Sequence, residues 1–195
     1  MKYIILAGTS AWNPPRQLWR VNGEVIIERT IKLLKRNGVT DIQVSSKNPL
    51  FDKYGRIDYD SSGLWVNAFP PDKEEACYIL GDVYFSPAAI QRIVETKTES
   101  IEFFASAPPF ADNYPKKWAE PFAFKVVDQE MFRRCIKETK RLYEEGYFNR
   151  RPIAWELWQV IKGTSLNEID YTNYTVINDY TCDIDEPEDL EQWIF

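Results

Sequence analysis

Two rhythms of apolar residues run through the chain. Short continuous apolar runs, Lys2-Tyr3-Ile4-Ile5-Leu6 and Ala76-Cys77-Tyr78-Ile79-Leu80, have the character of strands buried on both faces of a parallel sheet. Between them, the apolar residues of Val25–Arg36 recur at helical spacing, and Asn37-Gly38 stops that helix. A second strand, Asp41–Ser45, follows at once, so the opening reads as a βαβ unit. The alternation continues. A polar, Gly/Asp/Ser-rich stretch over residues 46–63 is loop with a short strand at Gly55-Arg56-Ile57, and the mixed alternation of Leu64–Phe69 predicts a strand ended by Pro70-Pro71. Ser86-Pro87 opens a helix through about Glu95 with Ser86 as N-cap. Ile101–Ser106 and Pro121–Val127 read as strands, Asp128 caps a helix from Gln129 to about Glu145 that Gly146 ends, and Pro152–Ile161 is a further helix. Tyr174–Ile177 is a late strand, and the loop after it enters a final helix with Asp185 as N-cap ahead of Glu186-Pro187.

Strands alternating with helices predict an α/β fold, and 195 residues with 44% hydrophobic content suffice for one domain spanning 1–195. No stretch approaches the roughly 20 apolar residues that cross a bilayer, and the N-terminal run lacks a signal-peptide layout, so the expectation is a cytoplasmic protein without a membrane partner. Cys77, Cys135 and Cys182 are scattered and read as small hydrophobes, not as a disulfide framework or a zinc site. The chain has no histidine, which removes Ser-His-Asp and Cys-His catalysis. Any chemistry must therefore use carboxylates, cations and a hard metal. A net charge of −6 argues against a nucleic-acid partner. Trp155 and Trp158, three apart on a helix, read as core or dimer contacts in preference to a ligand cage, and a homodimer stays open as an expectation.

Candidate chemistry gathers at strand ends. Ala7-Gly8-Thr9-Ser10 follows the first strand, where a small-residue loop exposes backbone N–H groups suited to phosphate, with the cation Arg16 shortly after. Gly81-Asp82 follows the strand Ala76–Leu80, on the same edge of the sheet. Asp183 and Asp185, two apart on an extended segment, point the same way and could offer paired oxygens to a hard divalent cation. Asn67, Ser45 and Ser46 are the polar residues that could meet a base, and each reads equally as an ordinary turn or strand-end residue.

In order and spacing, these pieces resemble the nucleotidyltransferase superfamily with the GT-A-like fold, which includes sugar-phosphate nucleotidylyltransferases, cytidylyltransferases and the molybdopterin guanylyltransferase type. Leu6-Ala7-Gly8-Thr9-Ser10-Ala11-Trp12 stands where that family has LAAGxGxR, Pro15-Arg16-Gln17-Leu18 stands at its PK and L, and Val21–Arg29 stands at its VxGxPLI stretch. Leu80-Gly81-Asp82 resembles its mid-chain GD element and Asp185-Glu186-Pro187-Glu188-Asp189-Leu190 its late DTPEDL.

The resemblance implies a three-layer α/β/α Rossmann-like fold with a mostly parallel mixed sheet. It also implies Mg²⁺-dependent transfer of an NMP from an NTP to a phosphorylated small molecule, a sugar phosphate, with release of pyrophosphate. Under it Asp82 and Asp185, with Asp183, hold Mg²⁺; Arg16 neutralises phosphates; and Leu6, Ala7, Gly8, Thr9, Ser10, Asn67 and Gly81 surround the nucleotide. Residues 101–172 contain the acceptor region, with Lys116, Lys117, Lys125, Arg150 and Arg151 as candidate phosphate ligands. Lys125 is favoured for a catalytic role because it lies in an apolar strand.

The chain departs from the family pattern at four points: one alanine of LAAG is missing, Ser10 stands at the second glycine, Trp12 at the loop arginine and Arg16 at the lysine, where a planar fork replaces a flexible ammonium. A GT-A glycosyltransferase using a nucleotide-sugar, or a non-catalytic nucleotide-binding protein of the same fold, are the alternatives at this stage.

Overall fold

The computed structural model describes residues 1–8, 11–109 and 118–193. In chain order the elements are β1 (Lys2–Leu6), β2 (Arg20–Val21), β3 (Glu24–Val25), α1 (Ile26–Arg36), β4 (Ile42–Ser45), β5 (Arg56–Ile57), β6 (Ala76–Leu80), β7 (Val83–Tyr84), α2 (Pro87–Glu95), β8 (Ile101–Ser106), β9 (Pro121–Val126), α3 (Gln129–Glu144), α4 (Ala154–Lys162), β10 (Thr175–Ile177) and β11 (Cys182–Asp183). Seven strands form one mixed sheet in the order β10-β8-β9-β6-β1-β4-β5. Within it β9 alone runs antiparallel to its neighbours β6 and β8, whereas β1 pairs in parallel with both β4 and β6.

The alternation along β1 sorts side chains onto two faces. Tyr3 and Ile5 enter a core with Ile27, Leu33 and Leu34 of α1 and Ile90 and Ile93 of α2. Ile4 and Leu6 enter the opposite core with Phe132 and Ile136 of α3 and Trp155 and Trp158 of α4. Helices thus cover both faces, giving the three-layer architecture that the resemblance implies. The second core is aromatic. Phe103 stacks on Phe124 at 4.5 Å between ring centroids and meets Trp155 edge-on at 5.0 Å, so the two tryptophans of α4 are core residues.

One predicted element is corrected. Leu64–Phe69 contains no strand; Trp65–Ala68 forms a 3₁₀ turn. Val66 within it and Phe69 just after it are buried and three apart, the period of a 3₁₀ helix, and the intervening residues are only partly covered.

At the carboxyl edge, two small devices position the chain. Ile184 N donates to Asp82 O at 3.0 Å, and β11 pairs antiparallel with β7, joining the segment after β6 to the segment near residue 183. Ser86 reinforces the join: its N–H donates to Thr181 Oγ1 at 3.0 Å, and its hydroxyl accepts from Ala89 N as the N-cap of α2. Val21, Ile26, Tyr84, Cys182 and Ile184 form a separate apolar cluster beneath this ribbon. No helix among the described residues is long and apolar enough to cross a membrane.

Candidate active site

Strands β1, β4 and β6 all deliver their carboxyl ends to one edge, and β1 lies where the strand order reverses. This is the switch point at which open α/β sheets form a ligand crevice. A cleft of about 320 Å³ opens there, lined by Gly8, Trp12, Asn13, Pro15, Ser46, Lys47, Asn48, Asp60 and Ser61. Gly8 lies so close to the far wall that an added Cβ would stand 3.0 Å from Ser61 Oγ. Across the cleft Lys47 donates to Asp60 at 2.6 Å, which together with the Ser62 N–H holds the Asp60 carboxyl down to about 2.

Beside the cleft, Arg16 begins a single 3₁₀ turn after Pro15. Its guanidinium joins the two loops that the β7–β11 ribbon aligns: Nη2 donates to Asp82 Oδ2 at 2.9 Å and Nη1 donates to Asp185 Oδ1. Asp183 feels the same guanidinium electrostatically. Burial and the carboxylates of Asp82, Asp185 and Glu120 raise the Asp183 carboxyl well above its ordinary range, with Arg16 opposing them. Burial also raises Asp82, again against Arg16.

Three buried polar atoms in this neighbourhood have no hydrogen-bond partner: Asp183 Oδ1, Arg16 Nε and Gln17 Oε1. Orphaned buried atoms are costly to a fold.

Several expectations from sequence come together here. Arg16, Asp82, Asp183 and Asp185 form one constellation, and Gly8 lines the cleft next to it. The N-cap role expected of Asp185 is corrected: Asp189 Oδ2 accepts from the N–H groups of both Asp185 and Glu186 at 2.9 Å, so Asp189 closes the turn and the Asp185 carboxylate goes to Arg16. The element that follows is a 3₁₀ helix over Pro187–Trp193.

Other expectations are not met. Leu6 and Ala7 spend backbone groups on the sheet, since Leu6 O accepts from Gly81 N and Ala7 N donates to Ser45 O. Gly81 serves packing: a Cβ there would stand 2.6 Å from Leu6 O and 3.2 Å from Ile5 Cγ2. Gly81→Ala should therefore push β6 off β1 and lower stability by about 1–3 kcal/mol in urea unfolding. Unchanged stability would mean that the strand end is loose. Asn67 lies outside the cleft and donates to Ser62 O at 2.7 Å, pinning the loop that carries Ser61. Of the two serines, Ser46 lines the cleft and Ser45 ends β4.

Lys125 is the clearest correction. Because β9 is antiparallel, its last residues lie beside Cys77 at the start of β6, on the edge opposite the cleft. There Lys125 Nζ donates to Val94 O at 3.0 Å and Thr96 O at 2.6 Å, closing the carboxyl end of α2. Burial lowers its pKa. Lys125→Met should leave any turnover within about twofold and cost about 1–3 kcal/mol by orphaning two carbonyls; a collapse of activity without loss of stability would return this residue to the site. Arg150 is paired with Glu156 at 2.7 Å and Arg151 donates to Gly63 O at 3.0 Å. Thr9, Ser10, Lys116 and Lys117 lie outside the described residues.

Sequence reasoning missed Glu120, 6% exposed, whose Oε2 accepts from Asp183 N at 3.0 Å. The only signal was an acid directly before the strand opened by Pro121, which the antiparallel run of β9 carries to the cleft edge.

No family model matches the chain, and no curated protein sequence matches it. Solved structures do. One from Bacillus anthracis, described as a glucose-1-phosphate thymidylyltransferase in complex with a sucrose, superposes with a TM-score of 0.60 at 15% identity, covering 98% of this chain and 92% of that one. The inositol-1-phosphate CTP transferase from T. maritima gives 0.59 at 14% identity, covering 96% and 90%. A CTP:phosphocholine cytidylyltransferase from Streptococcus pneumoniae gives 0.50 at 16%, covering 98% and 96%. The chain has the nucleotidyltransferase fold.

Proposed function

We propose that this protein is a metal-dependent nucleotidyltransferase that moves an NMP from an NTP to a phosphorylated small molecule, a sugar phosphate being the leading candidate, and releases pyrophosphate. The observation that carries this reading is the constellation of Arg16, Asp82, Asp183 and Asp185 beside the Gly8 cleft, in a fold whose solved examples include a thymidylyltransferase and two CTP-using transferases.

In this reaction an oxygen of the acceptor phosphate attacks the α-phosphorus in line, the bond to the β-phosphate oxygen breaks, and pyrophosphate leaves with the electron pair. The attacking oxygen is already anionic, so no general base is required, in keeping with a chain without histidine. The work left to the protein is positioning and charge. Among the described residues, no three His, Cys, Asp or Glu side chains converge closely enough to hold a metal ion as they stand. The donor chemistry nonetheless suits a hard divalent cation such as Mg²⁺: all donors are carboxylate oxygens, and Asp183 Oδ1 is buried and unsatisfied. Asp82 and Asp185, with Asp183, would hold it, and when bound it supplies positive charge to the phosphate oxygens. Arg16 grips the polyphosphate with its planar fork. Gly8, without a side chain, presents its backbone on the cleft wall, and Trp12, 39% exposed and edge-on to Trp19 at 5.4 Å, offers a flat apolar wall to the base. Ser46, Asn48 and Ser61 supply polar edges on the other side.

The test is pyrophosphate release from each of ATP, CTP, GTP, UTP and dTTP with Mg²⁺ and a panel of sugar phosphates, polyol phosphates and phosphocholine. Release that requires one NTP and one acceptor together supports the reading. Stabilisation of the protein by nucleotides with no release in any combination would favour a nucleotide-binding protein without this activity.

A further inference from the structure

We infer that Arg16 is a resident counter-ion of the carboxylate site: it keeps divalent cations out of the free protein and leaves when a polyphosphate arrives, so that metal and nucleotide bind as a coupled pair. The inference rests on the site assignment made above and adds a regulatory property to it.

The guanidinium stands between the two carboxylates that a cation would join, at 2.9 Å from Asp82 Oδ2 and hydrogen-bonded to Asp185 Oδ1, with the Asp185 carbonyl at 3.5 Å. A divalent cation and a guanidinium repel each other at such separations. In this state one guanidinium bridges two carboxylates and offsets half of their charge, and among the described residues no three ligand side chains converge closely enough to hold a metal ion.

Arg16 is also incompletely satisfied where it rests, because its Nε is buried without a partner. A terminal polyphosphate offers the fork several anionic oxygens in bidentate geometry, a better match than two carboxylates from separate loops. The cleft wall includes the adjacent Pro15, so the path to a phosphate near Gly8 is short.

The backbone that carries the two carboxylates does not depend on Arg16 for its place. Asp82 O is held by Ile184 N at 3.0 Å, β7 pairs with β11, and the Asp185 and Glu186 N–H groups are held by Asp189. Departure of the guanidinium would expose a preformed pair of anionic loops beside the unsatisfied Asp183 Oδ1. By linkage, whatever draws Arg16 off raises cation affinity, and a bound cation raises phosphate affinity by the same factor.

The experiment uses Mn²⁺ as the metal probe, read by electron paramagnetic resonance on the protein without nucleotide, and inorganic pyrophosphate in EDTA as the phosphate probe, read by thermal shift. Wild type should bind Mn²⁺ weakly. Arg16→Gln should bind it at least about tenfold more tightly, within the usual range for coupled sites, and Arg16→Lys, which keeps the charge, should resemble wild type. Asp82→Asn added to Arg16→Gln should remove the gain, which locates the ion. Pyrophosphate in EDTA should stabilise wild type and leave Arg16→Gln unshifted. Mn²⁺ affinity equal in wild type and a folded Arg16→Gln would overturn the counter-ion role while leaving the metal site intact. Binding of Mn²⁺ by none of the variants, with or without NTPs, would overturn the metal site and the reading beneath it.

Discussion

Replacing Asp82 with Asn is expected to lower turnover by at least about 10²–10³-fold, the scale on which loss of a positioned charge in a reacting site is felt. The substitution removes one negative charge and almost no volume, at a side chain only 17% exposed whose main-chain carbonyl is fixed by Ile184 N. The backbone ladder between β7 and β11 does not involve the carboxylate, so cooperative unfolding should survive. The fall should lie mostly in kcat. Arg16, relieved of one partner, still reaches a polyphosphate, so the KM for the NTP should move less than turnover does. Steady-state kinetics on the NTP and acceptor identified by the pyrophosphate assay, with urea unfolding as the folding control, decide the matter. Turnover within about threefold of wild type would place the chemistry elsewhere on the sheet edge.

The parts of this site that sequence made legible are those carried by parallel strands. A buried run followed by glycine or aspartate, as in Leu6-Ala7-Gly8 and Leu80-Gly81-Asp82, has its functional end fixed by strand direction, and in a parallel sheet every such end lies on one edge. Lys125 was misplaced and Glu120 missed for one reason. Both belong to the neighbourhood of β9, and an apolar run carries no mark of its direction, so the antiparallel insertion of β9 sends Lys125 away from the cleft and brings Glu120 to it. The capping of the Asp185 turn was hidden differently. Asp-Glu-Pro-Glu-Asp holds acids at both ends of one turn, and which of them closes it depends on a competing partner, Arg16, 169 residues away in sequence. Leu64–Phe69 misled because six residues cannot separate a period of two from a period of three when only Val66 and Phe69 are fully covered.

The opposed demands of folding and chemistry should be most visible at Asp183. In the metal-free protein, kept so with EDTA, Asp183→Asn should raise stability by about 0.5–2 kcal/mol, the usual yield when a functional strain is relieved, while turnover with metal falls. The carboxylate is buried beside those of Asp82, Asp185 and Glu120, and its Oδ1 has no partner. An amide removes the charge, keeps the volume and can donate where the carboxylate could only repel.

The sign with pH follows from the direction of the shift. A carboxyl whose folded pKa lies well above its ordinary 3.8 binds more protons folded than unfolded. Wild type therefore loses stability relative to the variant as pH rises from about 4 through the folded pKa, and the difference then levels off. At pH values below the unfolded carboxyl the two proteins should converge. Urea unfolding of both at a series of pH values measures this directly. A variant less stable than wild type at neutral pH would mean that Arg16 compensates the Asp183 charge fully, and that the metal-free site stores no strain.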